Sequence, residues 1–169
     1  MRLPTRLLQR KPDSHKGDYG HILIVAGSKR YSGAALLCAE AALRSGAGIV
    51  TLGLPESLCN PVIKIKPKEI MLLPLAQAKD GEISAAAYNK IVDFLKKADV
   101  FVLGPGLGLN ISTQKLVRKL VKTVKKPFVI DADALTALAG VKGVRFAPGT
   151  VATPHPGEMA RLIGIPAGV

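Results

Sequence analysis

The sequence is poor in aromatic and in acidic residues. It has no tryptophan, four phenylalanines and three tyrosines. It has 12 aspartates and glutamates but 24 lysines and arginines, which gives a formal net charge of +12. Such a surplus of positive charge favours anionic partners. Platforms that stack single-stranded nucleic acid depend on aromatic rings, which are scarce here. We therefore expect no nucleic-acid partner, although the charge alone does not choose among other anions.

Cysteines and long apolar runs are also few. Cys38 and Cys59 are the two cysteines, which excludes a disulfide scaffold and a four-cysteine zinc site. No apolar run approaches the roughly 20 residues of a membrane span, and the basic N-terminus lacks the apolar stretch of a secretory signal. From these absences we expect a cytoplasmic protein without a membrane partner.

The chain instead alternates short apolar runs with helical stretches. The predicted strands are 21–27, 49–55, 69–75, 100–103, 127–131 and one within 144–153, and the predicted helices are 32–48, one from Ser84, the basic 115–126, 134–139 and one from Pro156. Strands that are apolar on both faces and alternate with helices are typical of α/β proteins, with a mostly parallel sheet covered by helices on both faces. We expect residues 1–17 to form an arm and 18–169 the α/β domain, whose pattern is interrupted at its C-terminal end.

Ligands of open α/β sheets bind beyond the carboxyl ends of the strands. Two glycine-rich segments, 27–35 (GSKRYSGAA) and 104–108 (GPGLG), follow predicted strands. Glycines let a ligand approach the backbone and leave N–H groups for an anion, and a following helix adds positive potential. GPGLG fails the dinucleotide pattern G-x-G-x-x-G because its third glycine comes one residue early, and there is no Walker loop. Both segments are also compatible with turns that bind no ligand, with Ser32 capping the helix after the first.

Titratable residues follow two further strands. In DADAL we assign Asp131 to function and Asp133 to capping the next helix, although the reverse stays open. In TPHPGE, prolines on both sides hold His155 rigidly, as a ligand contact requires, while Glu158 is either functional or a favourable acid of the first helical turn. The other histidines, His15 and His21, lack a nearby acid or cysteine in the sequence and are predicted to be non-catalytic.

Five segments together resemble the ADP- or ATP-dependent NAD(P)H-hydrate dehydratases of the ribokinase-like superfamily. They are GDYGHILIVAGS, YSGAALLCAEAALRSGAGIV, LGPGLG, IDADAL and TPHPGEMARLIG, and in order they cover nearly the whole chain from Gly17 onward. The resemblance implies a ribokinase-like fold and repair of a damaged cofactor, the S epimer of hydrated NADH or NADPH. It implies ADP or ATP as co-substrate and Mg²⁺, with phosphoryl activation of a hydroxyl followed by elimination.

The resemblance also implies roles for individual residues. It gives substrate-binding roles to Ala34, Gly106, Gly108, Asp131 and His155. A looser analogy with related small-molecule kinases makes Glu158 a metal ligand. In family members the catalytic aspartate lies in a G-x-G-D-type loop beyond the position of Val169, so the catalytic residue is unknown here. We therefore expect a truncated, N-terminal portion of a dehydratase with little turnover of its own. The resemblance implies either a homo-oligomer or completion of the site by a missing C-terminal half.

Two other functions remain open. One is a ribokinase-like kinase for a vitamin precursor, although the histidine of TPHPGE favours the dehydratase over the TPN-type motif of thiazole kinases. The other is an inactive dinucleotide-binding remnant, which the missing catalytic loop favours.

Overall fold

A computed structural model describes residues 9–165, and these form one six-stranded sheet. Its order is β3-β2-β1-β4-β5-β6, and every neighbouring pair is parallel. The strands are β1 (His21–Val25), β2 (Ile49–Pro55), β3 (Ile70–Leu75), β4 (Val100–Leu103), β5 (Phe128–Ile130) and β6 (Val151–Ala152). The predicted parallel sheet is confirmed.

Within residues 9–165, five α-helices connect the strands, a sixth follows β6, and helices cover both faces of the sheet. They are α1 (Ser32–Arg44), α2 (Glu56–Ile63), α3 (Tyr88–Leu95), α4 (Ile111–Thr123), α5 (Ala132–Leu138) and α6 (Pro156–Ile163). Buried residues of α1 and α2 pack with one face of β1–β3, and buried residues of α3, α4 and α5 pack with the other face. The predicted α/β class, with helices on both faces, is therefore confirmed. Within residues 9–165, no helix is both long and apolar enough to cross a bilayer.

The bounds of α1 and α4 differ by up to four residues from the expected 32–48 and 115–126, and three further elements differ more strongly from the sequence prediction. The helix α2 was not predicted, because it is short and contains Pro61. The strand expected within 144–153 shrinks to β6, since a turn at Pro148 and Gly149 interrupts the extended run. The helix expected from Ser84 starts as a 3₁₀ turn at Ala85–Ala87, and α3 follows it.

Neither serine placed at a predicted helix start makes a side-chain cap bond. Ser84 occupies the N-cap position of the 3₁₀ turn without such a bond, and the Ala85 N–H donates to Ser112 Oγ of α4 at 2.9 Å. Ser32 lies inside α1, whose N-cap position is Tyr31.

One face of the sheet is partly open beside β6. Val102, Val129 and Val151 are register partners across β4, β5 and β6 and so share a face. Val102 and Val129 are half-buried, and Val151 is 54% exposed. Exposure thus increases toward the β6 edge, away from the part of this face that α1 and α2 cover.

The described part of the predicted arm contacts the domain. Arg10 Nη2 donates to Gly46 O at 2.9 Å, and its guanidinium lies 4.1 Å from the centre of the Tyr19 ring. Residues 1–8 of the predicted arm and 166–169 of the predicted domain lie outside the described residues. The boundary at residue 17 stays a prediction.

Candidate functional site

The order of the strands reverses between β1 and β4, which is where open α/β sheets bind ligands. The two glycine-rich loops meet at this point, because the Gly27 N–H donates to Pro105 O at 2.8 Å. Gly106 lies against the start of α1: a Cβ added to it would come within 2.8 Å of Tyr31 Cβ and 3.1 Å of Ala34 Cβ. The structure therefore brings Ala34 and Gly106, which the resemblance pairs in one site, into contact.

The second half of the GPGLG loop is covered by two carboxylates. The Gly108 N–H donates to Asp133 Oδ2 at 2.8 Å, and the Asn110 N–H donates to Glu82 Oε2 at 2.7 Å. Gly108 has φ +82°, and an added Cβ would lie 2.0 Å from Glu82 Oε1. The N–H group expected to be available to an anion is therefore occupied at Gly108, and two negative side chains disfavour a phosphate there. Substrate binding by Gly108 stays a prediction.

Glu82 is the residue that sequence reasoning missed. It lies in the loop after β3. The Lys29 N–H of the first glycine-rich segment donates to Gly81 O at 3.0 Å, and Glu82 lies against Gly108 of the second and accepts from Thr113 Oγ1 of α4 at 3.1 Å. No motif marks Glu82, because its partners are about 30 residues away along the chain. Only the folded loop places it over Gly108.

The start of α1 is more favourable to an anion, although the N–H groups of Gly27, Lys29 and Tyr31 in the loop before it are already bonded to carbonyls. The N-cap residue of α1, Tyr31, makes no side-chain cap bond, and the first turn of α1 has no acidic residue. Lys29 and Arg30 beside it are exposed. Ser28 is 1% exposed, and its Oγ has no hydrogen-bond partner within the described residues. An uncapped helix start next to two cations favours a negatively charged group at this loop rather than at Gly108.

The two aspartates of DADAL have different surroundings, and only the expectation for Asp133 is wrong. Asp133 reaches across to Gly108 instead of capping α5, so the capping assignment is wrong. Asp131 occupies the N-cap position without making a cap bond, and its half-buried carboxylate has no hydrogen bond or ion pair in residues 9–165. Ala132 between them has φ +50°, a left-handed conformation that costs about 1 kcal/mol or more in a non-glycine residue. The carboxylate of Asp131 is thus the one available to a ligand.

The Cys38 thiol of α1 has the surroundings of a structural cysteine. Burial raises the pKa of the Cys38 thiol, and the negative charge of Asp131 raises it further. The thiol therefore stays protonated at neutral pH, which leaves covalent cysteine chemistry without support.

His155 and Glu158 form a capping box at the start of α6. His155 Nδ1 accepts from the Gly157 N–H at 3.1 Å and from the Glu158 N–H at 3.4 Å, and Glu158 Oε2 accepts from the His155 N–H at 3.0 Å. His155 Nε2 lies 3.3 Å from Glu158 Oε1, with 62% of the imidazole exposed and 8% of the carboxylate side chain. Because Nδ1 accepts, the proton of the neutral ring is on Nε2. The ring is rigid and open to a ligand.

A second capping box with a histidine at the N-cap position occurs in the chain. His15 caps the 3₁₀ turn Lys16–Tyr19: its Nδ1 accepts from the Gly17 N–H at 3.1 Å, and Asp18 Oδ2 accepts from the His15 N–H at 2.9 Å. Both sites have the pattern H-x-G-acid, HKGD and HPGE. The expectation that His15 lacks an acid partner is therefore wrong, and the repeated pattern was the signal for it.

His21 lies at the amino end of β1, the edge opposite the glycine-rich loops. Its Nε2 is 2.9 Å from Thr51 Oγ1, and its ring meets Phe94 edge-on. Burial lowers the pKa of His21, although the Lys97 carbonyl and Asp99 oppose this shift. His21 thus lies away from the carboxyl ends of the strands, and its non-catalytic role stays a prediction.

The described residues do not fit a resident divalent cation. In residues 9–165 no three histidine, cysteine, aspartate or glutamate side chains are grouped as metal ligands. Both carboxylate oxygens of Glu158 already face His155, one at its backbone N–H and one at its ring. The metal role of Glu158 stays a prediction.

A comparison with protein-family models matches residues 22–168 to a carbohydrate-kinase-type model described as NAD(P)H-hydrate dehydratase. Among curated relatives, the bifunctional NAD(P)H-hydrate repair enzyme of Thermofilum pendens is 42% identical over 95% of this chain, and that of Gloeobacter violaceus is 44% identical over 92%. The matches span only 31% and 30% of those proteins.

Solved structures share the fold. The ADP/ATP-dependent NAD(P)H-hydrate dehydratase of Bacillus subtilis, co-crystallised with ATP and Mg²⁺, has a TM-score of 0.72 and 32% identity, over 94% of this chain and 52% of that one. A ribokinase-like superfamily protein of Enterococcus faecalis has a TM-score of 0.78 and 26% identity, over 98% of this chain and 57% of that one. The ribokinase-like fold is therefore confirmed.

Proposed function

The chain belongs to the NAD(P)H-hydrate dehydratase family, and on that premise we propose that it takes part in the nucleotide-dependent dehydration of (S)-NAD(P)H hydrate to NAD(P)H. The observation that carries the proposal is the contact between the loops after β1 and β4, where Gly106 lies against Tyr31 and Ala34. The strand order reverses there, and a dinucleotide crosses such a crevice in open sheets.

The small residues of the crevice suit a flat, hydrated nicotinamide ring. Ala34 and Gly106 present almost no side chain, so a ring can approach the backbone closely. The uncapped start of α1, with Lys29 and Arg30 beside it, suits the pyrophosphate of the dinucleotide. A single dinucleotide can therefore place its ring at the small residues and its pyrophosphate at the start of α1.

Two side chains then orient the reacting end. The unpaired carboxylate of Asp131 accepts a hydrogen bond from a hydroxyl or amide of the substrate, and the rigid, exposed imidazole of His155 contacts the ring. Holding the hydroxyl of the hydrate in place is the main task in phosphoryl transfer, which depends on positioning and charge. Gly108, flanked by Asp133 and Glu82, contributes a neutral contact and no phosphate site.

The proposed reaction consumes ADP or ATP. The hydroxyl of the hydrate takes the terminal phosphoryl group, the C–O bond then breaks with phosphate as the leaving group, and loss of a proton restores the double bond of the ring. The products are NAD(P)H, phosphate and the nucleotide shortened by one phosphate. Mg²⁺ supplies charge neutralisation to the nucleotide phosphates in such reactions. Because the described residues do not fit a resident cation, no step is assigned to it here.

We propose that other parts complete the site. The matched portion amounts to about a third or less of the curated relatives and about half of the Bacillus subtilis chain. The nucleotide-binding residues and the catalytic aspartate implied by the resemblance then belong to the portion that this chain does not cover, and a C-terminal half supplies them. A cytoplasmic location fits a cofactor-repair reaction.

Calorimetric titration of the 169-residue chain with the S and R epimers of hydrated NADH tests the proposal. We expect saturable binding of the S epimer, weaker binding of the R epimer, and little or no recovery of NADH absorbance when ATP or ADP is added. Equal, unsaturable heats for both epimers would refute it. Phosphate transfer to a vitamin-precursor alcohol would support the kinase alternative instead.

A further inference from the structure

A second concave, charged site lies away from the crevice. Five cations line a cavity of about 480 Å³, here called the basic groove: Arg118, Lys122, Lys125, Lys142 and Arg145. Its floor is apolar and includes Val121, Leu138 and Val144. We propose that the basic groove binds a compact oligophosphate, and this inference does not depend on the proposed function.

The topology places the groove near the amino ends of the strands, whereas the crevice lies at their carboxyl ends. The helices α4 and α5 both start beyond the carboxyl ends of their strands and run back toward the amino ends. The groove lies between the last two turns of α4 and the segment 138–145 that follows α5. A ligand there cannot be the one that spans the loops after β1 and β4.

The charge of the groove is uncompensated. None of its lining residues is acidic, and the sequence from 111 to 130 contains no aspartate or glutamate. In the apolar cleft beside α3, by contrast, the ammonium of Lys96 is paired with Asp93 at 2.7 Å. Five cations that line one groove, with no acidic residue among the lining residues, raise the local concentration of anions and attract a ligand with several negative charges.

One cation of the groove is already oriented. Arg118 Nε donates to Ala137 O at 2.8 Å, and its Nη2 donates to Gln114 Oε1 at 3.0 Å. These two bonds fix the guanidinium plane, so less side-chain entropy is lost when the remaining donors bind. A cationic side chain that extends freely into solvent would not make these two hydrogen bonds.

The chemistry of the groove favours phosphate groups over other anions. Guanidinium and ammonium groups make short, charge-assisted hydrogen bonds to phosphate oxygens. Two or three linked phosphates balance most of the five positive charges. The size of the cavity suits a small molecule, and its apolar floor can accept a nucleoside attached to the phosphates. Inorganic oligophosphate and a nucleoside triphosphate share this chemistry.

Titration calorimetry with tripolyphosphate, and separately with ATP, tests the proposal on the 169-residue chain. We expect one saturable tripolyphosphate site per chain. Charge reversal in Lys142→Glu/Arg145→Glu should weaken it by about tenfold or more. The matched variant Lys64→Glu/Lys68→Glu makes the same change of net charge on exposed residues outside the groove and should retain affinity within about threefold. ATP binding that is tighter than tripolyphosphate binding, and equally lost in the first variant, would identify the nucleotide as the source.

Several outcomes would overturn the inference. Equal weakening in both double variants would reduce the effect to net charge, and unsaturable heats would leave no site. Tighter, stoichiometric binding of a short DNA duplex that Lys142→Glu/Arg145→Glu removes would make the groove a nucleic-acid surface instead. Circular dichroism of both variants checks the fold, and Arg118→Gln provides a milder substitution if either double variant fails to fold.

Discussion

The Nδ1 atom of His155 accepts the backbone N–H of Glu158, and the carboxylate of Glu158 accepts the backbone N–H of His155. This reciprocal pair caps α6, and it leaves 62% of the imidazole exposed. The histidine therefore has a structural task whether or not it contacts a ligand. A substitution that removes both tasks at once cannot tell them apart.

Two substitutions of His155 separate the cap from the ligand contact. Asparagine is a good N-cap residue, whereas alanine is a poor one. We predict that His155→Ala lowers the free energy of unfolding by about 1 kcal/mol and that His155→Asn largely restores it. Both variants should lose affinity for the hydrated dinucleotide. Urea unfolding and calorimetric titration measure the two effects.

The control for this pair is His15→Ala, which removes the same kind of cap from the 3₁₀ turn before β1. It should cost a similar free energy of unfolding and leave ligand affinity unchanged. If His155→Asn binds the ligand as well as the unmodified chain, His155 has a capping role only.

Glu82 and Gly108 should be energetically coupled. A Cβ at residue 108 would lie 2.0 Å from the carboxylate of Glu82, and φ is +82°. We predict that Gly108→Ala costs about 2 kcal/mol or more. In the Glu82→Ala background the contact is gone, so the added cost of Gly108→Ala should be smaller. A double-mutant cycle from urea unfolding measures the difference.

Gly106→Ala provides the comparison for this cycle. The Cβ at residue 106 would meet the backbone oxygen of Tyr31 at 2.8 Å, which Glu82→Ala does not move. Its cost should therefore be the same in both backgrounds. Additive effects of Glu82→Ala and Gly108→Ala would contradict the arrangement described for the loop.

His21 should make stability depend on pH below neutrality. Burial lowers the pKa of this histidine in the folded chain, so the unfolded chain binds the proton more tightly. Its contribution is therefore fully present above the unfolded pKa of about 6.5 and is lost as the pH falls below that value. We predict that the free energy of unfolding decreases less between about pH 7.5 and 5.5 in His21→Gln than in the unmodified chain. Equal decreases would show that His21 protonates alike in both states.

The open face beside β6 is predicted to mediate self-association. Val151 is a large apolar residue that is 54% exposed on an edge strand. Val151→Lys should reduce the mass measured by light scattering at a given concentration. Met71→Lys, at a 47% exposed position on β3 at the opposite edge, is the control and should have little effect. A monomer at all concentrations before any substitution would count against this prediction.

Most of the sheet could be predicted because its signals are local. The bounds of β2 and β4 agree with the expected runs 49–55 and 100–103, since these strands are apolar along their length. The glycines that follow the predicted strands correctly indicated the loops 27–35 and 104–108, which meet where the strand order reverses. The strand β6 was overestimated because a turn breaks an otherwise apolar segment.

The polar contacts of the site could not be predicted in the same way. Glu82 reaches Asn110 and Thr113 across about 30 residues, and Asp133 reaches Gly108 across 25. No spacing in the sequence indicates such pairs, because they depend on how the loops fold together. The histidine caps are different: the repeated H-x-G-acid pattern was present in the sequence, and its meaning became clear from the two structures that it forms.

Amide hydrogen exchange of the 169-residue chain, with and without the S epimer of hydrated NADH, shows where the dinucleotide binds. We predict that the ligand slows exchange in segments 27–35 and 104–108, where the loops after β1 and β4 meet, and leaves 138–145 unchanged. Protection that avoids both glycine-rich loops, or that is confined to another part of the chain, would contradict this prediction.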